Sequence, residues 1–334
     1  QRILTGRFPD YVVAQLEEML DYFGQSPFIV RSSSLLEDNY GNSFAGKYES
    51  VFCINQGPRQ RRLEDLLSAI RTIYASTMSE RALSYRARRG MLDQDEQMAL
   101  LVMRVSGSVN GRYYFPFIAG VGFSFNPYVW SEEIDPAAGV VRLVFGLGTR
   151  AVNRADDDYT RIVALNAPQR RPEHGFDEVR QYAQRRVDFL DLEANREVEG
   201  YFSDIARDCA NLPMSLIVRR GSAPGGDNGA DGRGRNARDA GILTFDRFLK
   251  QTDFVDDMRA MLQILESAYD YPVDVEFTAN MLDEKSYRLN LLQCRPLQAG
   301  SGERVELPGD DLPSEQKLVD AHSAVVGQGR SVNV

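Results

Sequence analysis

The chain has 334 residues, 43% hydrophobic and 26% charged, a balance that supplies enough apolar surface for one large domain or two to three smaller lobes and argues against a disordered chain. Its net charge of −9 opposes sequence-independent binding to nucleic acid or to anionic membranes, because both rest on clustered Lys and Arg. Cys53, Cys209 and Cys294 lack the paired spacing of a disulfide framework or a zinc site, and no basic start followed by an apolar core opens the chain. These features predict a cytoplasmic protein.

Residues 10–23 place Val12, Val13, Leu16, Met19, Leu20 and Phe23 at helical spacing, with Asp10 at the start and Gly24 just past the end, which predicts an amphipathic helix. Phe28 to Arg31 then reads as a short strand, and 32–46 as a polar, glycine-containing loop. A second helix is expected over 62–79, with Leu63, Leu66, Leu67, Ile70, Ile73 and Tyr74 on one face. From about 97 to 165 β-branched and aromatic runs take over, at Leu100–Val105, Tyr113–Phe125, Val140–Phe145 and Arg161–Leu165. Tyr113 to Trp130 is uncharged over a length close to that of a membrane helix. Its prolines, glycines and aromatics suit buried strands around a turn instead, so no membrane span is expected.

Residues 177–210 carry a mixed charged and apolar pattern that predicts helix, and 220–241 form a Gly, Asp, Arg and Asn tract expected to be a flexible insertion. Helical spacing returns over 252–269 through Val255, Met258, Met261, Leu262 and Leu265. Val273–Thr278 and Tyr287–Cys294 alternate as a hairpin that Pro296 ends, and Ser314 to Val326 is expected to form a short helix capped by Ser314. The expected domains are an N-terminal subdomain (1–110), a sheet-rich middle (111–200), a C-terminal lobe with the insertion (201–300), and a linker (301–334) toward a domain outside the chain.

Two segments hold residues suited to chemistry. In a strand, residues two apart share a face, so Asp274 and Glu276 share one face of the first hairpin strand, as do Gln293 and Arg295 on the second. Two carboxylates, an amide and a guanidinium can thus meet in one site, with hard oxygens for Mg²⁺ and a fork for a phosphate. A solvated strand face with a cross-strand Glu–Arg pair is the alternative. Earlier in the chain, Ile29-Val30-Arg31-Ser32-Ser33-Ser34 leads toward Ser43-Phe44-Ala45-Gly46-Lys47-Tyr48, a strand that delivers an Arg into a hydroxyl- and glycine-rich loop able to offer N–H groups to an anion. A polar turn with one strand-end Arg reads equally well.

In this order, the Val-Arg-Ser-Ser stretch, the Ser-Phe-Ala-Gly loop and the Asp-x-Glu…Leu-Gln-x-Arg-Pro ending resemble the ATP-binding domain of the phosphoenolpyruvate synthase and pyruvate phosphate dikinase family. The resemblance also takes in Tyr74-Ala75-Ser76, Gly120–Pro127 and Gly146-Leu147-Gly148, and so covers about 28 to 297. It implies an α+β fold of the ATP-grasp type, in two to three lobes, that binds ATP and Mg²⁺ and serves a phosphotransferase. Arg31 would then contact the phosphates and Gly46, Lys47 and Tyr48 would cover them. Asp274 and Glu276 would serve the metal, and Glu276 the nucleotide as well, while Gln293 and Arg295 hold the polyphosphate, with Arg31 and Arg295 as the catalytic cations. The resemblance further implies partner domains, one with a carrier His and one that binds pyruvate.

The chain departs from the family pattern in having no Gly-Gly-Lys within Gln1–Gly24, Thr149 where Glu is common, and Met103 where Gln is common. His174 and His322 lack the Thr-Ser-His-Ala type of context and read as surface residues, which places the phosphate carrier outside this chain. Gly146-Leu147-Gly148-Thr149-Arg150-Ala151 matches a dinucleotide fingerprint only loosely, and the chain has no Gly-x-x-x-x-Gly-Lys-[Ser/Thr] loop. Two rival readings remain: a non-catalytic ATP-binding or scaffold module, and a phosphotransferase with another acceptor such as a glucan or a rifamycin-type antibiotic.

Overall fold

A computed structural model describes residues 2–34, 36, 46, 48–88, 90–152, 158–209, 211–220, 241–283 and 285–297. The first elements are α1 (Asp10–Phe23), β1 (Phe28–Ser34), β2 (Ser50–Cys53), α2 (Arg59–Ser76), α3 (Glu80–Arg88), β3 (Met98–Arg104), β4 (Ser108–Asn110) and β5 (Tyr113–Phe115). Next come β6 (Ile118–Phe123), β7 (Val140–Val144), α4 (Thr149–Val152), β8 (Arg161–Ala164), α5 (Gly175–Gln181), β9 (Arg186–Asp191), β10 (Arg196–Tyr201) and α6 (Phe202–Asp208). The last are β11 (Val218–Arg219), β12 (Ile242–Leu243), α7 (Asp246–Gln251), α8 (Phe254–Tyr269), β13 (Val273–Met281) and β14 (Tyr287–Pro296). Helices and several antiparallel sheets are thus mixed, as an α+β class requires.

The chain divides into two compact units, Gln1–Phe117 with Val187–Gly200, and Ile118–Arg186 with Tyr201–Val334. In the first unit, β1 lies between β2 and β3, and Phe28 and Val30 turn one face onto Leu20, Leu63, Leu66, Ile70 and Ile73 of α1 and α2. Burying side chains of this size contributes roughly 1.5–3 kcal/mol each. Helix α1 has the expected bounds, and Gly24 ends it at φ +61° with its N–H on the Leu20 carbonyl, a backbone angle that costs glycine little.

The serines after Arg31 are not loop. Ser32, Ser33 and Ser34 extend β1 because β3 pairs with it through Ser34↔Met98, which occupies their backbone groups in a ladder. Helix α2 starts and ends three residues earlier than its pattern suggests, since Pro58 fixes φ at −61° just before Arg59 and needs no N–H partner there. The helix expected over 177–210 is also replaced in its middle by β9 and β10. Val187 and Phe189 are both buried, two apart as a strand requires, and Asn195 turns the chain at φ 50°. The 221–240 part of the Gly, Asp, Arg and Asn tract, and the 314–326 segment, lie outside the described residues.

In the second unit the strands run β14-β13-β6-β7-β8, each antiparallel to its neighbours. Val273, Val275, Phe277 and Ala279 point to one side, where α8 supplies Phe254, Val255, Met258 and Leu262. Gly120 of β6 is required by close approach, because a Cβ there would sit 2.2 Å from the Arg142 carbonyl oxygen and 2.7 Å from the Phe277 ring. Side chains of alternate parity therefore face away from α8. Along β13 and β14 that second face is polar, and across β6 and β7 it is mostly apolar.

Candidate functional site

On the face opposite α8, β13 presents Asp274, Glu276 and Thr278, and β14 presents Arg295, Gln293 and Asn290 directly across from them. A register shift between Glu276 and Phe277 makes this work: Glu276 pairs with Gln293 but Phe277 pairs with Leu291, leaving Leu292 as a bulge. Tyr287, Leu289 and Leu291 thereby share the parity of the packed α8 side, while Gln293 and Arg295 switch to the polar side. A regular strand would have put 289, 291, 293 and 295 on one face.

The four expected hairpin residues come together. Arg295 Nε donates to Asp274 Oδ2 at 3.0 Å, and Arg295 Nη2 lies 3.5 Å from Glu276 Oε1. The side chains are only 13%, 16% and 9% exposed for Arg295, Asp274 and Glu276, so this is not a solvated strand face. Burial pushes the Asp274 carboxyl above its ordinary range despite the pull of Arg295. Its second oxygen, Oδ1, is buried and has no hydrogen-bond partner among the described residues. Such an atom carries a desolvation cost that a cation would relieve.

The same face extends across β6 and β7. Glu276 pairs with Val121, which pairs with Arg142, and Asp274 pairs with Phe123. Arg142 lies with its guanidinium 5.1 Å from the Phe123 ring centroid and donates through Nη2 to the Tyr128 hydroxyl at 2.9 Å. Ala119, Val121, Val144 and Ala151 form an apolar cluster beside it, bringing the turn of α4, just after Gly146-Leu147-Gly148, against this face. Arg142, Thr278 and Asn290 went unread in the sequence. Arg142 had left one signal, as the single charge within Val140–Val144.

The other expected residues belong to the first unit. Arg31 sits in β1 between Ser50 and Leu101, on the face opposite α1 and α2, and Met103 shares that face through its pairing with Ile29. Gly46 has φ +68°, Tyr48 is buried beside Ala82, Tyr85 and Met98 with its hydroxyl donating to Glu96, and Lys47 lies outside the described residues. His174 is exposed and its N–H donates to Glu178 Oε2 at 2.6 Å, while His322 lies outside the described residues. Among the described residues no helix is long and apolar enough to cross a membrane.

Residues 1–315 match the family described as pyruvate phosphate dikinase, AMP/ATP-binding domain. The chain belongs to that family. It is 24% identical over 297 residues to the uncharacterized phosphotransferase YvkC of Bacillus subtilis, covering 88% of this chain and 27% of the relative. It is 23% identical to phosphoenolpyruvate synthase of Pseudomonas aeruginosa, covering 91% of this chain and 31% of that protein. A rifampicin phosphotransferase of Streptomyces sviceus is 29% identical over 146 residues, 43% of this chain and 15% of the relative. The chain therefore spans under a third of the length of these curated relatives.

Proposed function

We propose that the chain binds ATP with Mg²⁺ on the face of its five-stranded sheet opposite α8, as the ATP-dependent part of a phosphotransferase with an ATP-grasp architecture. The observation that carries this reading is the largely buried hairpin cluster, in which Asp274 keeps one oxygen without a hydrogen-bond partner among the described residues while Arg295 bridges the carboxylate to Glu276. The donor set fits the metal: Mg²⁺ takes one or two carboxylates and completes its shell with water and phosphate oxygens. Asp274 and Glu276 would hold it, and there it would neutralise charge on the phosphates.

The chain's own groups do the rest. Gln293 offers an amide N–H₂ to a phosphate oxygen, and Arg295 turns its planar fork from the carboxylates to the polyphosphate, a bidentate contact suited to that geometry. Phosphoryl transfer asks little covalent chemistry of a binding lobe, so positioning and charge neutralisation suffice. Resemblance alone assigns Arg31 to the phosphates and Gly46, Lys47 and Tyr48 to the loop over them.

The acceptor lies beyond this site. The phosphoenolpyruvate synthase relatives favour an acceptor of the pyruvate-to-phosphoenolpyruvate class, reached, as the family resemblance implies, through a carrier His outside this chain. The rifampicin phosphotransferase relatives favour a second reading, in which the same ATP-dependent step serves an antibiotic acceptor. Calorimetric titration with ATP tests the common part: binding should be measurable with Mg²⁺ and should weaken strongly in excess chelator. Equal affinity in both conditions would overturn the metal assignment.

A further inference from the structure

We infer that Arg142 is a further polyphosphate contact of this site, a second guanidinium that sets its preference for long phosphate chains over AMP. The inference rests on the ATP reading and extends it to a residue outside the hairpin. Arg142 stands on the same sheet face as Asp274 and Glu276, in direct register with Glu276 across Val121. Two strand spacings put its Cα about 10 Å from that of Glu276, within reach of an extended Arg side chain and a bound phosphate between them. Its guanidinium does not extend along its own strand. It lies over Phe123, the cross-strand partner of Asp274, and so leans toward the carboxylate, whose charge it helps to hold.

Its orientation is built by neighbours. Tyr128 accepts a hydrogen bond from Nη2 at 2.9 Å and also faces the guanidinium with its ring at 5.6 Å. Tyr128 is itself fixed by the fully buried Asn126, whose side-chain Oδ1 accepts the Tyr128 backbone N–H at 2.8 Å and whose backbone N–H donates to the Pro136 carbonyl at 2.8 Å. A guanidinium held by aromatic faces and one hydroxyl keeps N–H groups for a second partner, because Arg carries five donors. With Arg295 on the far strand of the hairpin, Arg142 brackets the two carboxylates between cations. The bracketed row suits an anion longer than one phosphate.

The test is calorimetric affinity for ATP, ADP and AMP, each with Mg²⁺, on wild type, Arg142→Met, Arg142→Lys, Tyr128→Phe and Arg295→Ala. Loss of a charge-assisted contact predicts that Arg142→Met weakens ATP by about tenfold to a hundredfold while AMP changes by less than about twofold. Arg142→Lys should recover part of the loss, since the charge returns without the fork. Tyr128→Phe, which keeps the ring and removes the hydroxyl, should reduce the ATP-to-AMP ratio in the same direction and serves if Arg142→Met does not fold. Unchanged ratios in both variants, or equal losses for ATP and AMP, would make Arg142 a packing residue and overturn the inference. If Arg295→Ala binds ATP as wild type does, the underlying reading falls first and takes this one with it.

Discussion

Two Arg–Asp pairs in this chain have the same chemistry and opposite settings. In the first unit, Arg112 Nε donates to Asp191 at 3.0 Å; the Arg side chain is 48% exposed and the Asp 2%. Asp191 Oδ1 also accepts the N–H groups of Glu193 and Ala194, so the carboxylate closes the turn between β9 and β10. Burial raises its pKa, but the Ala194 N–H and Arg112 more than offset that, and the carboxyl sits below its ordinary range. In the second unit both members of Arg295–Asp274 are only 13% and 16% exposed, one Asp oxygen has no hydrogen-bond partner among the described residues, and the carboxyl sits above its ordinary range. A pair that stabilises a turn leaves its acceptors satisfied. The pair proposed to meet a ligand retains unmet bonding capacity.

The strongest way to break this comparison is to truncate Arg295 and the second carboxylate it touches, Glu276. Arg295→Ala and Glu276→Ala should each cost about 2–5 kcal/mol of MgATP binding, roughly thirtyfold or more, with the fold intact by circular dichroism. Asp191→Ala should leave the affinity within about twofold, a change of at most about 0.4 kcal/mol. Wild-type affinity in both hairpin variants would show that the two pairs are equivalent and that neither serves a ligand.

Stability should divide the pairs the other way. Asp191→Ala leaves the buried-side N–H groups of Glu193 and Ala194 without their acceptor, which costs about 1–3 kcal/mol. A lowered melting temperature with unchanged ATP binding is the expected result. No change in melting would mean that water replaces the carboxylate and the turn does not depend on it.

The turn and the site were not equally legible in the sequence. The i, i+2 rule was enough to put Asp274 with Glu276 and Gln293 with Arg295, because a strand's side-chain period is local. The bulge at Leu292 was not read, though the doublet Leu291-Leu292 breaks the alternation that a regular strand would keep; only the register with β13 settles which residue is extra. Arg142 escaped for a different reason. Its nearness to Asp274 depends on β6 lying between β13 and β7, a pairing of segments more than 100 residues apart that no periodicity encodes. The strands β9 and β10 were legible but missed: Arg186 and Asp188, and Glu197 and Glu199, alternate with other residues at the period of a strand, but the high charge of the segment drew the reading toward a helix.

The smallest expected effect sharpens the comparison furthest, because it concerns sign. Asp191 has a folded pKa below the ordinary carboxyl value of 3.8, so its contribution to stability is present above that value and is lost as pH falls through the folded pKa. Asp274 has a folded pKa above 3.8, so the stability linked to it is present below that value and is lost as pH rises through the folded pKa. At neutral pH the Asp274 carboxylate thus weakens the ligand-free fold. Asp274→Asn removes the charge, keeps an oxygen for Arg295 Nε and leaves Glu276 beside the guanidinium, so its stability at pH 7 should equal or exceed wild type by up to about 1 kcal/mol. That gain should shrink toward pH 4. Asp191→Asn should be less stable than wild type at pH 7, with a deficit that shrinks in acid. Melting temperatures of both variants between pH 4 and pH 8 give the two slopes directly. If Asp274→Asn instead loses several kcal/mol at pH 7, the buried pair holds the hairpin together as Arg112–Asp191 holds its turn, and the case for a carboxylate kept for a cation fails.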